Sequence, residues 1–322
     1  MPPKTQKPAP AKAGKNYRPK KLLLVYNPQA GEAKANTSSL EEVVGLLQSY
    51  RFDPQVFLLR PDSDLADRVK QALADGIALF VACGGDGTSS SLARLLVGSQ
   101  ASLGIIPNGT QNNMPLALDI PADPAEAVKV LREGRKLKID VGRAKVGSRS
   151  TYFMEVFSVG LVSSLFPPAD DLQHGNLQAL GELVKTFTLE KPASFEIQLC
   201  FRKDPIRSQG LVLLAVNMPV IGLNYRLGKR SAMQDGKLDL IFFEDANKLD
   251  LLSYVARGLR DGLPEARKIK KILAEKISIK VDPPMTLMYD GEVFGEGNVE
   301  LSVLKHAISV MIPKKSRVRQ TG

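Results

Sequence analysis

Residues 80–91 read FVACGGDGTSSS. An apolar run that fits a buried strand stops at two glycines, an aspartate, a third glycine and a threonine. The pattern after it, TSSSLARLLVG, has the spacing of a helix starting near Thr88. A strand that turns into a helix through glycines exposes free amides at a helix N-terminus, where the positive end of the dipole favours phosphate. Gly84, Gly85 and Gly87 let a ligand approach the main chain, and Thr88, Ser89 and Ser90 bring hydroxyls. A carboxylate beside a phosphate is repulsive on its own, so Asp86 makes sense if it manages a divalent ion or orients an attacking hydroxyl. The plainer alternative is a glycine-rich turn with Asp86 as a helix cap. The stretch is neither GxxxxGK[ST] nor GxGxxG.

Working outward, the same rhythm holds on both sides. KLLLVYNP (21–28), PQVFLLR, IALFVACGG and ASLGIIPNGT read as strands. SSLEEVVGLLQSY (38–50) has helical spacing and a Ser cap, SDLADRVKQALADG reads as a capped amphipathic helix and DPAEAVKVLREG as a proline-bounded helix. Such alternation predicts a doubly wound α/β domain with a parallel sheet. Ligands bind such sheets at the carboxyl ends of the strands. Asn27 and Gly31 end the first strand, and Gly109, Thr110 and Asn112 end the fourth, so three strand ends converge on one crevice.

From Ile139 the pattern changes to strands separated by turns, including STYFMEVFSVGL, GLVLLAVNMPVIG, MTLMYDGEVF and VELSVLKHAISVMIP. NLQALGELVKTF and KLDLLSYVARGLRDG interrupt them as helices. This half predicts an antiparallel β-sandwich. The expected boundaries are a basic tail at 1–20, an α/β domain at 21–138, a β-sandwich at 139–313 and a second basic tail at 314–322. Whether the last strand returns to the first domain is left open by pattern alone. In LMYDGEVF (287–294), Asp290-Gly291 is a hairpin turn signal. Glu292 follows between Tyr289 and Phe294, where partial burial would suit it to accept a proton.

The 322 residues carry a formal net charge of +10 and two cysteines. Cys83 and Cys200 both lie in apolar runs, which excludes a disulfide framework and points to a reducing compartment. No stretch reaches the about 18 apolar residues of a membrane span, and no apolar leader precedes the first strand. His174 and His306 stand alone, without partners at metal spacing. LFPPADDLQHG (165–175) is a loop with apolar residues that suit an acyl chain or an ordinary surface.

GGDGT, the YNP..G start, the P.GT.N segment running into L.IP, IDVG and the late DGE together resemble the diacylglycerol kinase catalytic family, from about Lys20 to Pro313 and in the family's order. The resemblance implies an ATP-binding α/β domain, a lipid-binding β-sandwich and an active site in the cleft between them. It implies transfer of the γ-phosphoryl group of ATP, with Mg²⁺, to a lipid hydroxyl. Residues 84–90 would cradle the phosphates, with Asn27, Gly109, Thr110 and Asn112 completing the nucleotide site. Asp86, Asp290 and Glu292 would carry the catalysis, Glu292 as proton acceptor. SAMQDGKLDLIFF resembles the segment that holds a structural divalent ion, through Asp235 and the carbonyls of Ala232 and Lys237.

The chain departs from the family pattern in places. SSSLAR follows GGDGT where Asn-Glu is usual. In GTQNNMPLAL, Asn113 replaces an acid and Leu116 an arginine. Leu59, next to Arg60, stands for a nucleotide-contacting threonine. The basic residues before the mid-domain helix are missing.

Diacylglycerol is the expected acceptor. A sphingoid base or another lipid, an NAD kinase-like soluble substrate, and a non-catalytic lipid-binding role are the alternatives. The basic tails suit peripheral contact of a cytoplasmic protein with an anionic membrane surface. No aromatic residues are interleaved with the basic positions as nucleic-acid binding requires. Self-association as a homodimer is left open.

Overall fold

A computed structural model describes residues 19–30, 38–160, 193–221, 225–226, 233–244 and 268–318. Gly31, Ala232, His174, the 165–175 loop, both tails apart from a few residues, and the two helices expected in the second half lie outside the described residues.

The first half is built as its pattern predicts. β1 (Lys20–Tyr26), α1 (Leu40–Ser49), β2 (Phe52–Leu58), α2 (Leu65–Ala74), β3 (Leu79–Gly84), α3 (Asp86–Leu96) and β4 (Ser102–Pro107) alternate. β1 pairs in parallel with β2 and β3, and β3 with β4. β3 and β4 are buried along their whole length, as strands covered on both faces should be. β2 carries Pro54, which a sheet tolerates only at its edge, and β2 is the edge strand. Ser39, Asp64 and Asp123 cap helices by accepting from the amides of Glu42, Asp67 and Glu126. The Asp123 cap opens α5 (Pro124–Glu133), which follows the short α4 (Asn113–Ala117).

The second half begins with β5 (Arg135–Val146), β6 (Arg149–Phe153) and β7 (Val156–Gly160). β8 (Ala193–Leu199), β9 (Ile206–Gly210), β10 (Val212–Val216), β11 (Val220–Ile221), β12 (Tyr225–Arg226) and β13 (Leu238–Phe243) follow. β14 (Ile269–Ala274), β15 (Lys276–Asp282), β16 (Thr286–Tyr289), β17 (Glu292–Glu296) and the 14-residue β18 (Val299–Ile312) complete the chain. One sheet runs β2-β1-β3-β4-β18-β15-β8-β9, with β5 and β6 branching from β18. A second runs β14-β13-β10-β7-β16-β17, and its described pairs are antiparallel. The described fold is therefore a parallel α/β layer followed by an antiparallel sandwich. Near its end β18 pairs in parallel with β4 at Ser309 and Val310, so the last strand lies in the first sheet.

STYFMEVFSVGL reads as one strand but forms two, β6 and β7, broken at Met154 and Glu155. The cause is remote in sequence. The Asp290 carboxylate accepts from the amides of Met154, Glu155 and Val156 at 2.7, 2.8 and 3.1 Å, taking them out of the ladder.

The sandwich has its own apolar core, separate from that of the first half. At its centre Phe157 is fully buried, its ring centroid 5.7 Å from Phe153 and 6.4 Å from Phe294. Phe157→Ala should destabilise the protein by about 3–5 kcal/mol, the usual cost of emptying an aromatic site. Urea denaturation would measure it as a lower midpoint.

Candidate active site

The strand ends of β1, β3 and β4 meet. The amide of Asn27 donates to the carbonyl of Cys83 at 3.0 Å, and that of Asn108 to Gly84 at 2.9 Å. The Asn27 side-chain amide donates to the Thr88 hydroxyl at 3.2 Å, tying the end of β1 to the first turn of α3. Gly85 and Gly109 touch through their main chains. A Cβ added to Gly109 would lie 2.3 Å from the Cα of Gly85, a space no side chain can share. Asn112 braces the second turn from within. Its side chain accepts from the Gly109 amide at 3.2 Å and donates to the Gly109 carbonyl at 2.7 Å. Gly87 is exposed on the first turn of α3, and Thr110 is half-buried. Ser89 and Ser90 are buried, and neither hydroxyl has a partner.

Asp86 is the first residue of α3, yet its carboxylate serves another helix. Oδ1 accepts from the Met114 amide at 3.3 Å, and the amides of Asn113 and Asn112 also point to it. Asp86 thus caps α4, locking the GGDG turn to the NGTQNN turn. Burial raises its pKa, and these amides oppose the rise.

The hairpin stands opposite. Asp290 and Gly291 both have positive φ, 44° and 86°, as a two-residue type I′ turn requires. The Asp290 side chain is only 2% exposed, and its oxygens are held by the three amides at the β6–β7 break. Glu292 differs from the partly buried acid expected from its aromatic neighbours. Its side chain is 47% exposed, because Tyr289 and Phe294 pack edge to face beside it, 5.8 Å between centroids, rather than over it. The Tyr289 hydroxyl donates to one carboxylate oxygen at 2.8 Å, and Arg94 donates to the other.

Arg94 escapes notice in the sequence because a basic residue late in a helix is ordinary. Its guanidinium folds back one turn, donating to the Ser91 hydroxyl at 3.0 Å. From there it bonds Glu292, lies 3.9 Å from Asp290 and stacks over the Tyr289 ring at 5.1 Å. The helix begun by the glycine turn therefore holds the hairpin directly.

Glu155 gives no signal in the sequence either, where it looks like one more residue of an alternating strand. It is 5% exposed, and its Oε2 accepts from the side-chain amide of Asn113 at 3.0 Å. Burial pushes its pKa well above the usual carboxylate range, and the charges of Asp86 and Asp290 push the same way. The polar chain runs from Asp86 through α4 and Asn113 to Glu155, then to Asp290 and back to α3 through Arg94.

Asp235 lies apart from this ring. Its Oδ1 accepts from the Lys237 amide at 2.9 Å. Burial and then nearby Asp140 raise its pKa, against the opposing Lys237 amide. Asp140 is fully buried and accepts from the amides of Gly236 and His306, each at 2.7 Å. Among the described residues, no group of three or more His, Cys, Asp or Glu side chains could hold a metal ion.

Comparison with known proteins agrees with this architecture. Residues 21–144 match the family model described as diacylglycerol kinase catalytic domain. Residues 170–312 match that described as YegS C-terminal NAD kinase beta sandwich-like domain. A diacylglycerol kinase of Staphylococcus saprophyticus subsp. saprophyticus is 25% identical over 298 residues, covering 91% of this chain and 96% of its own. One of Bacillus subtilis is 24% identical over 302 residues, covering 92% and 97%. A solved diacylglycerol kinase structure from Bacillus anthracis str. Sterne has the same fold, with a TM-score of 0.68 at 18% identity, over 92% of this chain and 98% of that one. The two family models follow one another over most of the chain, a diacylglycerol kinase catalytic domain first and a YegS-type sandwich domain second, and together with the relatives named diacylglycerol kinase they support a lipid kinase.

Proposed function

We propose that the protein transfers the γ-phosphoryl group of Mg-ATP to the hydroxyl of a membrane lipid, with diacylglycerol as acceptor and phosphatidic acid as product. The observation that carries this reading is the Arg94–Glu292 pair, which fixes a solvent-accessible carboxylate to the helix that begins at the glycine turn.

In this reading the amides of residues 84–90 and the N-terminus of α3 receive the triphosphate. Asn27, Gly109, Thr110 and Asn112 shape the nucleotide's side of the crevice. Asp86 keeps the two glycine turns in register through its hold on α4. Asp290 sets the hairpin through its three amides. Glu292 touches the reaction, accepting the proton of the lipid hydroxyl as its oxygen attacks phosphorus and ADP leaves. Mg²⁺, when bound, neutralises charge on the triphosphate.

The Asp235 turn fits a second, structural divalent ion in its chemistry. Its ligands would be oxygens, from the Asp235 carboxylate and the Lys237 carbonyl, with the Ala232 carbonyl as the third expected ligand. Two neighbouring carboxylates, Asp235 and Asp140, are a charge that a hard cation would offset.

A lipid acceptor is supported by apolar surface on the site's own elements. Val293, next to Glu292, is 67% exposed, and Leu116 on α4 is also exposed. The basic tails would add weak, salt-sensitive attraction to an anionic bilayer, about 1 kcal/mol per Lys or Arg near the surface. No helix among the described residues is long and apolar enough to cross a membrane.

The test is transfer of labelled γ-phosphate from Mg-ATP to diacylglycerol, sphingosine, ceramide and NAD, the lipids in mixed micelles. Label in diacylglycerol is the expected result. Label only in another lipid would reassign the acceptor. Label in NAD alone, or in nothing while ATP still binds, would overturn the reading.

A further inference from the structure

Three carboxyl groups are buried near one another, and burial raises the pKa of each: Asp86 from α3, Asp290 from the hairpin and Glu155 just before β7, where the charges of Asp86 and Asp290 add to the rise. They are not equally provided for. Asp86 has the amides of α4's first turn. Asp290 has three strand amides, with Arg94 nearby. Glu155 has a single donor, the Asn113 side chain on Oε2. Its other oxygen, Oε1, is buried with no partner, and so is Oδ1 of Asn113. Two acceptors left bare in one contact are costly, and a single proton between them supplies what both lack.

We propose that Glu155 is held as a neutral carboxylic acid and forms an acid–amide pair with Asn113 that positions the Asp290–Glu292 hairpin against α4. The Glu155 Oε1–H group donates to Asn113 Oδ1, while Asn113 Nδ2 donates to Glu155 Oε2. Of the three acids, the proton resides on the one with the fewest donors. Charged groups face Glu155 from α3 (Asp86) and from the hairpin (Asp290), and both disfavour its ionisation. The residues packed on its main chain are neutral: the amides of Asn217 and Met218 donate to its carbonyl at 2.9 and 3.2 Å.

The pair also accounts for the departure at position 113. Where the family pattern has an acid, this chain has an amide, and the acid comes from the facing strand instead. Glu155 is thus a positioning residue that acts through Asn113 and Asp290, and this role in the reaction rests on the kinase reading above.

The sign of the pH effect follows from linkage. The folded protein holds a proton that the unfolded chain releases in the ordinary glutamate range. Stability is therefore greatest below that range and falls as pH rises towards the raised folded value. Glu155→Gln keeps one donor and one acceptor facing Asn113 and has nothing to ionise.

The test has two arms. The first does not depend on activity: an infrared difference spectrum of wild type against Glu155→Gln at pH 7, with thermal unfolding followed from pH 5 to 9. A protonated carboxyl stretch in wild type, lost in the variant together with part of the alkaline fall in Tm, is expected. An ionised carboxylate stretch at that difference would overturn the proposal, whether or not any lipid is phosphorylated.

The second arm measures kcat and KM with the lipid found in the panel above. Asn113→Asp and Glu155→Ala should each lower kcat, by about 10²-fold if the hairpin shifts by an ångström. The exchange Asn113→Asp with Glu155→Gln restores an acid–amide pair and should recover most of that loss. Full activity in Asn113→Asp alone, or no recovery in the exchange, would overturn the positioning role.

Discussion

Glu292→Gln is expected to lower lipid phosphorylation by about 10²- to 10⁴-fold, the usual contribution of a positioned base. ATP affinity and Tm should barely move. The substitution keeps the shape, and its amide oxygen can still accept from Tyr289 or Arg94. The side chain is half in solvent, so no core is disturbed. What disappears is the carboxylate proposed to take the proton from the lipid hydroxyl. Initial rates at saturating lipid, with nucleotide binding measured in parallel, separate the two effects. A rate within about threefold of wild type, well short of a base's usual effect, would remove Glu292 from the chemistry.

Gly109→Ala should produce the second large effect. The added carbon would meet main chain, 2.3 Å from the Cα and 3.0 Å from the nitrogen of Gly85, and neither can swing aside as a side chain might. Relieving the contact means pushing the ends of β3 and β4 apart. Overpacking of this kind costs about 1–3 kcal/mol. If the cost falls on nucleotide binding, ATP affinity drops by about 5- to 150-fold. Isothermal titration with ATP would show it. Gly87→Ala is the contrast, because a Cβ there meets nothing within 4 Å and should leave Tm unchanged.

The first half was largely legible in the sequence because its signals are local. Ser39 and Asp64 cap helices in the places their patterns suggest, and the three polar strand ends converge. The site's second half was less legible because distant partners decide it. Nothing near Met154 announces a strand break; the cause is Asp290, 136 residues away. Asp86 looks like a residue for its own helix, and only the folded chain brings α4 onto it. Glu155 and Arg94 carry no motif. Their importance lies in what faces them across the two sheets. Glu292 shows the limit of reading burial from aromatic neighbours, since rings beside a side chain do not cover it.

β18 gives the molecule a property that neither half has alone. Its opening residues, Val299 to Ser302, pair with β15 in the sandwich, and Ser309 and Val310 pair with β4 in the nucleotide half. β5 runs alongside, paired with it from Glu300 to Ile312. Local opening of one half must therefore break strands that the other half depends on, so the two share one cooperative melting unit. Any nucleotide that binds the glycine turns would stabilise the sandwich by mass action as well, and lend its binding free energy to the Asp290–Glu292 hairpin.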